Sequence, residues 1–271
     1  MMIGYNITQP NDALQKITLQ QLIQLISHPP NEILDKITIL RNLKITDLNA
    51  YKHQKKLLPY FTTSIFHPPY RKSENFAATY YCIFDIDNLS SIQKTPDEIK
   101  EQISKLECTR LAFTSPGMDG VKLLIELHTP CKEPSQFKSF YSAFIRYLIS
   151  NFSHLSAVID RKTNDITRAT FLSYDPHLFH NPSSVKINIQ QIIDAYSDAP
   201  PISISDNTNS NETSSTSDAS IASNNPSNNP DEETLQKIKN ILGSKTLSKT
   251  NPKNVIPSQK VNDTIPLLKE K

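Results

Sequence analysis

The order of the predicted elements between residues 79 and 175 restricts the chain to a small number of folds. Residue periodicity and turn residues predict a strand, a helix, two strands, a helix and a last strand, with a short insertion before the last. This is the order of the split βαβ, or ferredoxin/RRM-like, arrangement, in which an antiparallel sheet carries two helices on one face. We therefore predict an α+β protein whose other sheet face is open for a substrate. The predicted segments are 79–87, 95–107, 109–115, 121–128, 135–152 and 169–175.

Composition divides the chain into four parts. Thr18, Asn31 and Asp47 each precede apolar residues at helical spacing, so residues 1–60 are predicted to form a helical part of the same unit as the sheet, which occupies 61–198. Residues 201–230 include sixteen Ser or Asn, and such a segment buries too little to offset its chain entropy. We predict a disordered linker over 199–230. Over 231–271 we predict a short helix and a lysine-rich tail, for which a solvated tail is favoured over one that contacts nucleic acid phosphates.

Composition also argues against some classes of protein. No run approaches the roughly 18 apolar residues that span a bilayer, and the N-terminus lacks the basic start and apolar stretch of a secretory signal. The three cysteines, Cys82, Cys108 and Cys131, are scattered and form no CxxC pair, so they are predicted to be core residues of a cytoplasmic protein. The net charge of +2 gives no general indication of nucleic acid binding.

Three aspartates follow apolar segments and are candidate metal ligands. Asp85 and Asp87 end the strand CIFDID, where residues two apart point to the same face, and two such carboxylates repel each other unless a cation neutralises them. Mg²⁺ suits this pattern, because it binds one or two carboxylates together with substrate phosphates. Asp160 ends the run AVID and could supply a third carboxylate, with Asp165 as a weaker competitor. The alternative is a loop cap at Asp87, a lysine partner for Asp85 and a turn-starting Asp160.

A hairpin and an arginine are candidate phosphate ligands. Two of the four glycines, Gly117 and Gly120, lie in the turn SPGMDG, where glycine permits close backbone approach to a ligand. Lys122 follows on the emerging strand and could reach a phosphate, while Arg168 could form a bidentate contact. The alternative is an ordinary glycine-rich hairpin with exposed charges.

A local excess of basic residues precedes the first predicted strand. Residues 1–75 carry nine basic and five acidic side chains, and tyrosines and phenylalanines lie between the basic ones. This mixture suits a surface that stacks bases and binds phosphates of a single strand, although a solvated helix face with core aromatics is favoured. The basic residues in question are Lys52, Lys55, Lys56, Arg71 and Lys72.

Taken together, these motifs resemble the archaeo-eukaryotic primase, or primase–polymerase, superfamily. The strand CIFDID (82–87) resembles its first motif, Gly120-Val121-Lys122 its second, preceded by Ser115-Pro116-Gly117, and Val158-Ile159-Asp160 its third. Asn164 and Arg168 resemble the N…R that follows in phage and plasmid members. A closer resemblance, over about residues 37–182, is to the VirE N-terminal domain family of mobile-element proteins. It is carried by KKLLPYFTTSIF, FDID, SPGMDGVK and DRKTNDITRATFLSYDP.

The resemblance implies a palm that transfers nucleotides by a two-metal mechanism. Asp85, Asp87 and Asp160 would hold two Mg²⁺ or Mn²⁺ ions, and Ser115, Lys122 and Arg168 would bind the triphosphate. A single-stranded DNA or RNA template and nucleoside triphosphates would be the partners. Larger relatives continue into a helicase-like P-loop ATPase, whereas this chain contains no GxxxxGK[ST]; it would be either a stand-alone or a truncated form, and a separate helicase or ATPase could be a partner.

Two features keep other functions open. Lys122 stands where polymerising members usually carry histidine, so the chain could instead be a weakly active or inactive module that binds single-stranded nucleic acid or a nucleotide for a mobile element. A phosphatase with an aspartyl nucleophile also uses DxD on a strand. It is disfavoured because about 80 residues precede the motif and Asn88, not threonine, follows it.

Overall fold

The computed structural model describes residues 1–197, which form an α+β fold with two antiparallel sheets. The predicted linker (199–230) and tail (231–271) lie outside the described residues. The strands are β1 (Met2–Gly4), β2 (Gln15–Lys16), β3 (Tyr60–Thr62), β4 (Ser64–Phe66), β5 (Phe76–Asp87), β6 (Thr109–Thr114), β7 (Gly120–Cys131), β8 (Thr170–Phe171) and β9 (Phe179–His180). The helices are α1 (Leu19–Ser27), α2 (Asn31–Thr46), α3 (Leu48–Lys55), α4 (Pro96–Ser104), α5 (Pro134–Asn151) and α6 (Ile189–Tyr196).

The larger sheet has the strand order β4-β5-β7-β6-β9. Its centre is the long pair β5 and β7, which are antiparallel and place Asp85 opposite Lys122 and Asp87 opposite Gly120. Side chains alternate along β5, so Phe84 belongs to one hydrophobic core and Ile83 to another on the opposite face. Asp85 and Asp87 therefore share the face of Ile83, at the end of the strand.

Helices α4, α5 and α6 cover the face of Phe84. This aromatic ring stacks on Tyr141, with centroids 4.8 Å apart, and on Phe144, at 4.7 Å, both from α5. Aromatic pairs of this kind add to the free energy gained from burial alone. Helix α4 begins as predicted, because Thr95 and Glu98 form a reciprocal capping box. The predicted helical layer on one face is confirmed by these contacts.

The sequence predicts that the opposite face of the larger sheet is open, and this prediction is wrong. The smaller sheet, in the order β2-β1-β3-β8, and helix α1 pack against it through a shared hydrophobic core. Residues 1–60 contain the three predicted helices, but they also supply β1, β2 and part of β3. Strands of only two or three residues show too little alternation of polar and apolar residues to be predicted from the sequence.

The last strand of the predicted split βαβ is absent from its expected place among the described residues. Only Thr170–Phe171 is a strand there, and it pairs with β3 in the smaller sheet. The edge of β5 is already occupied, at its start by β4 and at its end by an isolated bridge between Ile86 and Ile159. The specific split βαβ palm is therefore not confirmed, although β5, α4, β6, β7 and α5 follow in the predicted order.

Two smaller expectations concern the cysteines and membranes. All three cysteines are free and buried, as predicted for core residues. Within residues 1–197, no helix combines the length and the apolar character needed to cross a membrane.

Candidate functional site

Lys122 joins two aspartates at the end of the β5–β7 pair. Its Nζ lies 2.7 Å from Asp85 Oδ2 and 3.2 Å from Asp87 Oδ1. The side chains of Lys122 and Asp85 are only 8% and 13% exposed, whereas Asp87 is 51% exposed. Because Lys122 is the cross-strand partner of Asp85, strand register alone brings these opposite charges together. The lysine partner that the alternative interpretation expected for Asp85 is thus present.

Arg168 approaches the same aspartate from the loop before β8. Its guanidinium forms an ion pair with Asp85 Oδ2 and lies 3.7 Å from Asp160 Oδ2. Burial by itself acts to lower the pKa of Arg168, but the carboxylates of Asp85 and Asp160 outweigh it and raise the pKa above its ordinary value. Asp85, Asp87, Asp160, Lys122 and Arg168 therefore form one charged cluster, which we call the Asp85 cluster.

Asp160 reaches the cluster because its backbone is bonded to β5. The Asp160 amide donates to Asp85 O and the Asp87 amide donates to Val158 O, both at 2.9 Å. The Asp160 carboxylate accepts from the amide of Lys162 at 2.8 Å and from Thr163 Oγ1 at 2.7 Å. Partial burial opposes ionisation, but these hydrogen bonds and Arg168 together lower the pKa of Asp160. Asp165 instead accepts from Thr167 in its own loop and stays outside the cluster.

Tyr141 supports the cluster from the helical layer. Its hydroxyl donates to Asp160 O at 3.0 Å and accepts from Arg168 at 3.2 Å. Burial raises the pKa of Tyr141, so its hydroxyl stays protonated. The sequence pattern predicts only a core aromatic residue for Tyr141 of α5, and nothing in the sequence distinguishes it from the other aromatic residues of that helix.

The Asp85 cluster contains oxygen atoms of the kind that bind divalent cations. Carboxylates are ligands that Mg²⁺ or Mn²⁺ prefers, and Asp85 Oδ1 is a buried oxygen that lacks a hydrogen-bond partner among residues 1–197. These residue types suit such an ion, but their placement does not, because no group of three or more His, Cys, Asp or Glu side chains within residues 1–197 could hold a metal ion. Lys122 and Arg168 contact these carboxylates instead.

The predicted glycine hairpin lies beside the cluster and packs against α2 and α3. Gly120 is needed because a Cβ there would lie 2.7 Å from Ile86 O and even closer to Asp87 Oδ1. A Cβ on Gly117 would lie 2.6 Å from the hydroxyl of Tyr51 in α3. Ser115 is buried, and its amide donates to Gly120 O at 2.8 Å, which closes the turn. The two glycines thus permit close packing within the protein.

Two hairpin contacts were not expected from the sequence. Lys44 of α2 donates to Gly117 O at 3.0 Å and lies 3.3 Å from Asp119 Oδ2. Asp119 also accepts from the amide of Ser90 at 2.8 Å. These contacts border an open cleft of about 670 Å³ between α2 and the hairpin tip. Contacts between residues more than 70 positions apart leave no signal in a single sequence.

The predicted basic residues divide into two groups. Lys55 is partly buried, and burial first and the charge of Lys122 second lower its pKa. Its Nζ also lies over the rings of Tyr51 and Phe171, at 5.9 and 5.7 Å. Arg71 donates to Thr167 O, next to Arg168, at 3.0 Å. The exposed members of the set are Lys52, Lys56 and Lys72.

These elements define an α+β protein with a charged cluster at one end of its larger sheet. Comparison with known proteins gives a family match over part of the chain and a distant structural likeness. Residues 52–180, just under half of the chain, match the protein family described as BT4734-like, N-terminal domain. The match includes every member of the Asp85 cluster. It does not carry the VirE description that the motifs resemble, so that finer resemblance stays a prediction.

Comparison with solved structures finds a distant likeness to the AEP domain of the primase–polymerase of cyanophage S-2L. The two share 8% identity with a TM-score of 0.40, over 72% of this chain and 88% of that chain. A likeness at this distance indicates neither a shared activity nor a shared substrate. No curated protein matches the sequence.

Proposed function

We propose that this protein is a primase–polymerase-like nucleotidyltransferase that binds the phosphates of a nucleoside triphosphate at the Asp85 cluster. The observation that supports the proposal best is the convergence of residues 85, 87, 122, 160 and 168 at one end of the sheet. These residues come from four separate segments of the chain. A structural ion pair needs only two partners, whereas this cluster gathers three acids and two bases in partly buried positions.

The two basic side chains are the phosphate ligands in this proposal. Arg168 presents a planar guanidinium suited to bidentate contact, and Lys122 supplies a compact charge. Both are held in place before a ligand arrives, Lys122 by Asp85 and Asp87, and Arg168 by Asp85 and the hydroxyl of Tyr141. Such positioning reduces the entropy that binding would otherwise cost.

The three carboxylates would hold Mg²⁺ or Mn²⁺. When bound, such ions activate an attacking hydroxyl and stabilise a leaving pyrophosphate. In this proposal Asp85, Asp87 and Asp160 would supply oxygen ligands to the ions, and Lys122 and Arg168 would orient the phosphates. Tyr141 acts through Asp160 and Arg168, which makes it a positioning residue.

A template strand would bind beside the cluster. Arg71 donates to the main-chain oxygen of Thr167, the residue before Arg168, so a further basic side chain lies beside the site. Lys52, Lys56 and Lys72 are exposed and free to contact phosphates of single-stranded DNA or RNA. We propose a role in the replication of a mobile genetic element, in which a separate helicase or ATPase could be a partner.

The test is template-directed synthesis by the full chain. The protein is incubated with primed and unprimed single-stranded templates, Mn²⁺ or Mg²⁺, and either ribo- or deoxyribonucleoside triphosphates, and products are resolved on a gel. Asp85→Asn is expected to abolish product, while the exposed Asp35→Asn on α2 is expected to retain it. Absence of product from the wild-type chain with every nucleotide and metal would overturn the transferase assignment.

A binding module without chemistry is the second candidate, and one observation favours it. Asp85 is already neutralised by Lys122 and Arg168, as expected of a site in which this carboxylate positions two positively charged side chains. Under this alternative Asp85→Asn leaves phosphate binding intact or strengthens it, because both cations lose a competing partner. Nucleotide affinity and product yield, measured on the same variant, separate the two functions.

A further inference from the structure

The cleft of about 670 Å³ between α2 and the hairpin tip runs along one face of α2. Its lining residues on the helix side have the spacing i, i+3, i+4 and i+7, which places side chains on a single face. These residues are Thr38, Arg41, Asn42 and Ile45. Met118 and Asp119 of the hairpin line the opposite side. A groove along a helix face is the shape that receives a second, amphipathic helix.

Apolar side chains at this cleft are left in contact with water within residues 1–197. Ile45 is 88% exposed, the highest value among the large apolar residues of the described chain, and Met118 is 55% exposed. Leu48, three residues after Ile45, is 62% exposed. Single exposed apolar residues are ordinary on a protein surface, but several of them beside a cleft indicate a contact surface.

The wall opposite α2 is held in shape before any partner arrives. Met118 has a left-handed backbone, with φ 57°, and so does Asn88 in the neighbouring loop, with φ 67°. Such conformations are unfavourable for residues other than glycine and persist where the surrounding structure fixes them. Asp119 fixes the two loops to each other and to α2, because its carboxylate accepts from the amide of Ser90 and pairs with Lys44. The cleft is therefore preformed.

We propose that residues 231–242 of the same chain dock in this cleft as an amphipathic helix. They lie outside the described residues, and their sequence, DEETLQKIKNIL, predicts such a helix. One face of that helix would carry an acid and three aliphatic residues at the spacing i, i+4, i+7 and i+11. These are Asp231, Leu235, Ile238 and Leu242. A helix of this length is marginal in water by itself, so its apolar stripe needs a surface to cover it.

The charges and the apolar residues of the two surfaces match. Of the charged residues that line the cleft, Arg41 and Lys44 are basic, and the acidic one, Asp119, is already paired with Lys44. The acidic start of the docked segment would face these basic side chains, and its aliphatic stripe would cover Ile45 and Met118. Complementary charge sets the orientation of such a contact, and apolar burial supplies most of its affinity.

The intervening chain is long enough for docking within one molecule. The structure describes the chain to Ser197, so residues 198–230 separate it from the docking segment. A chain of that length spans up to roughly 110 Å when extended, whereas a compact domain of this size has a radius of gyration of only about 16 Å. Tethering gives an effective concentration on the order of 1 mM, so a Kd of about 0.1 mM would keep the segment docked about nine-tenths of the time.

Met118 provides a reporter inside the cleft. The chain has three methionines, and the other two, Met1 and Met2, are buried in the core. The experiment follows the methyl signal of Met118 by NMR in the full chain labelled with ¹³C-methyl methionine. Docking places new apolar atoms against this methyl group, so its chemical shift reports the docked fraction.

Substitutions in the segment itself leave residues 1–197 unchanged. Leu235→Ser combined with Ile238→Ser removes two aliphatic anchors, each worth about tenfold in the docking equilibrium, and should lower the docked fraction from about 90% to about 10%. Gln236→Ser combined with Asn240→Ser, on the opposite face of the predicted helix, is the matched control and should keep the wild-type signal. An unchanged Met118 signal in the first variant would overturn the proposal. So would a wild-type signal that moves with protein concentration, because a second copy would then occupy the cleft.

A second measurement tests the other side of the contact. A fluorescent peptide of residues 229–244 is titrated with the Leu235→Ser, Ile238→Ser chain, and its anisotropy gives Kd. We expect a Kd of about 0.1 mM, raised about tenfold or more by the further substitution Ile45→Glu, which replaces an apolar contact by a charge that repels the acidic start of the peptide. Ile39→Glu is the matched control, since Ile39 is also an exposed isoleucine of α2 but does not line the cleft. Equal effects of the two substitutions, or no binding up to about 1 mM, would refute docking in this cleft. The nucleotidyltransferase function proposed above does not depend on either result.

Discussion

Asp85 and Lys122 are direct partners across β5 and β7, with Lys122 Nζ 2.7 Å from Asp85 Oδ2. A charged pair at a position that is nearly buried on both strands is costly to desolvate and adds little net stability. The pair lies at the end of the sheet, where Arg168 and Asp160 also arrive, and this is where we propose that a nucleoside triphosphate binds. The first prediction follows from this pair.

Lys122→Met is expected to weaken binding of a nucleoside triphosphate. Loss of one hydrogen bond to a charged group costs about 1.5–3 kcal/mol, which corresponds to roughly 10- to 100-fold in Kd. Isothermal titration calorimetry without added metal measures this loss. Lys162→Met is the control, and equal affinities of the two variants would remove Lys122 from the phosphate site.

The hairpin glycines can be tested by replacing each with alanine and then removing the side chain that the new Cβ would contact. Gly117→Ala is expected to destabilise the protein by about 1–3 kcal/mol, because the new Cβ would lie 2.6 Å from the Tyr51 hydroxyl. Tyr51→Phe removes that oxygen and leaves the ring carbon at 3.4 Å, an ordinary contact. The double variant should therefore recover most of the loss in a urea titration. No recovery would show that the glycine is needed for another reason.

Gly120→Ala should not be rescued in the same way. Its Cβ would meet the main-chain oxygen of Ile86 at 2.7 Å as well as the side chain of Asp87, and a main-chain atom cannot be removed by mutation. Combination with Asp87→Ala is expected to leave most of the instability in place. Full recovery in the urea midpoint of that double variant would locate the conflict in the Asp87 side chain alone.

Local signals predicted much of the fold. Thr18 and Thr95 form capping boxes, and Asp47 and Asn188 cap helices as their residue types indicate. The one shifted start is α2, where Pro30 is the cap and Asn31, predicted as the cap, is the first helical residue. The three longest strands also follow from apolar periodicity. These features depend on neighbours in sequence, so a single chain contains the information.

Long-range pairing was the part that the sequence could not decide. Thr170–Phe171 has the composition of a strand, but only the tertiary fold determines that it joins β3 and not β5. The candidate site shows the same division: Asp85, Lys122 and Arg168 could be selected by residue type, whereas their mutual ion pairs could not. Tyr141 and Lys44 went unnoticed because their roles depend on partners 19 and 73 positions away.

The cysteines give a test of the core itself. Burial raises the pKa of Cys108 to about 12 and also raises those of Cys82 and Cys131, so the reactive thiolate form is scarce as well as inaccessible. We expect almost no reaction of the folded protein with a thiol reagent such as DTNB within an hour at pH 8. All three thiols should react promptly in 6 M guanidinium chloride. Rapid reaction of a thiol in the native protein would contradict the packing of its core.

A buried ion pair away from the candidate site sets the last prediction. Lys100 of α4 lies 2.7 Å from Asp175 Oδ2, and both side chains are nearly inaccessible. Asp175 also accepts from the Thr114 amide at 2.8 Å, so the pair connects α4, β6 and the segment after β8. Breaking such a pair typically costs about 3–5 kcal/mol, since one charge is left buried alone. Asp175→Asn should be near the lower value, because the exposed Asp97 also contacts Lys100 at 3.0 Å.

The pH dependence of that pair has a definite sign. Burial opposes ionisation of Asp175, but its hydrogen bonds from Lys100 and Thr114 outweigh this and lower its pKa in the folded state. The stabilisation is therefore complete above the unfolded pKa of about 3.9 and is lost as the pH falls through the lower folded value. Urea midpoints of wild type and Asp175→Asn should differ most near pH 6 and converge as the pH is lowered below about 4. A difference that stays constant from pH 6 to the acid limit would show that Asp175 stabilises the fold by packing and not by its charge.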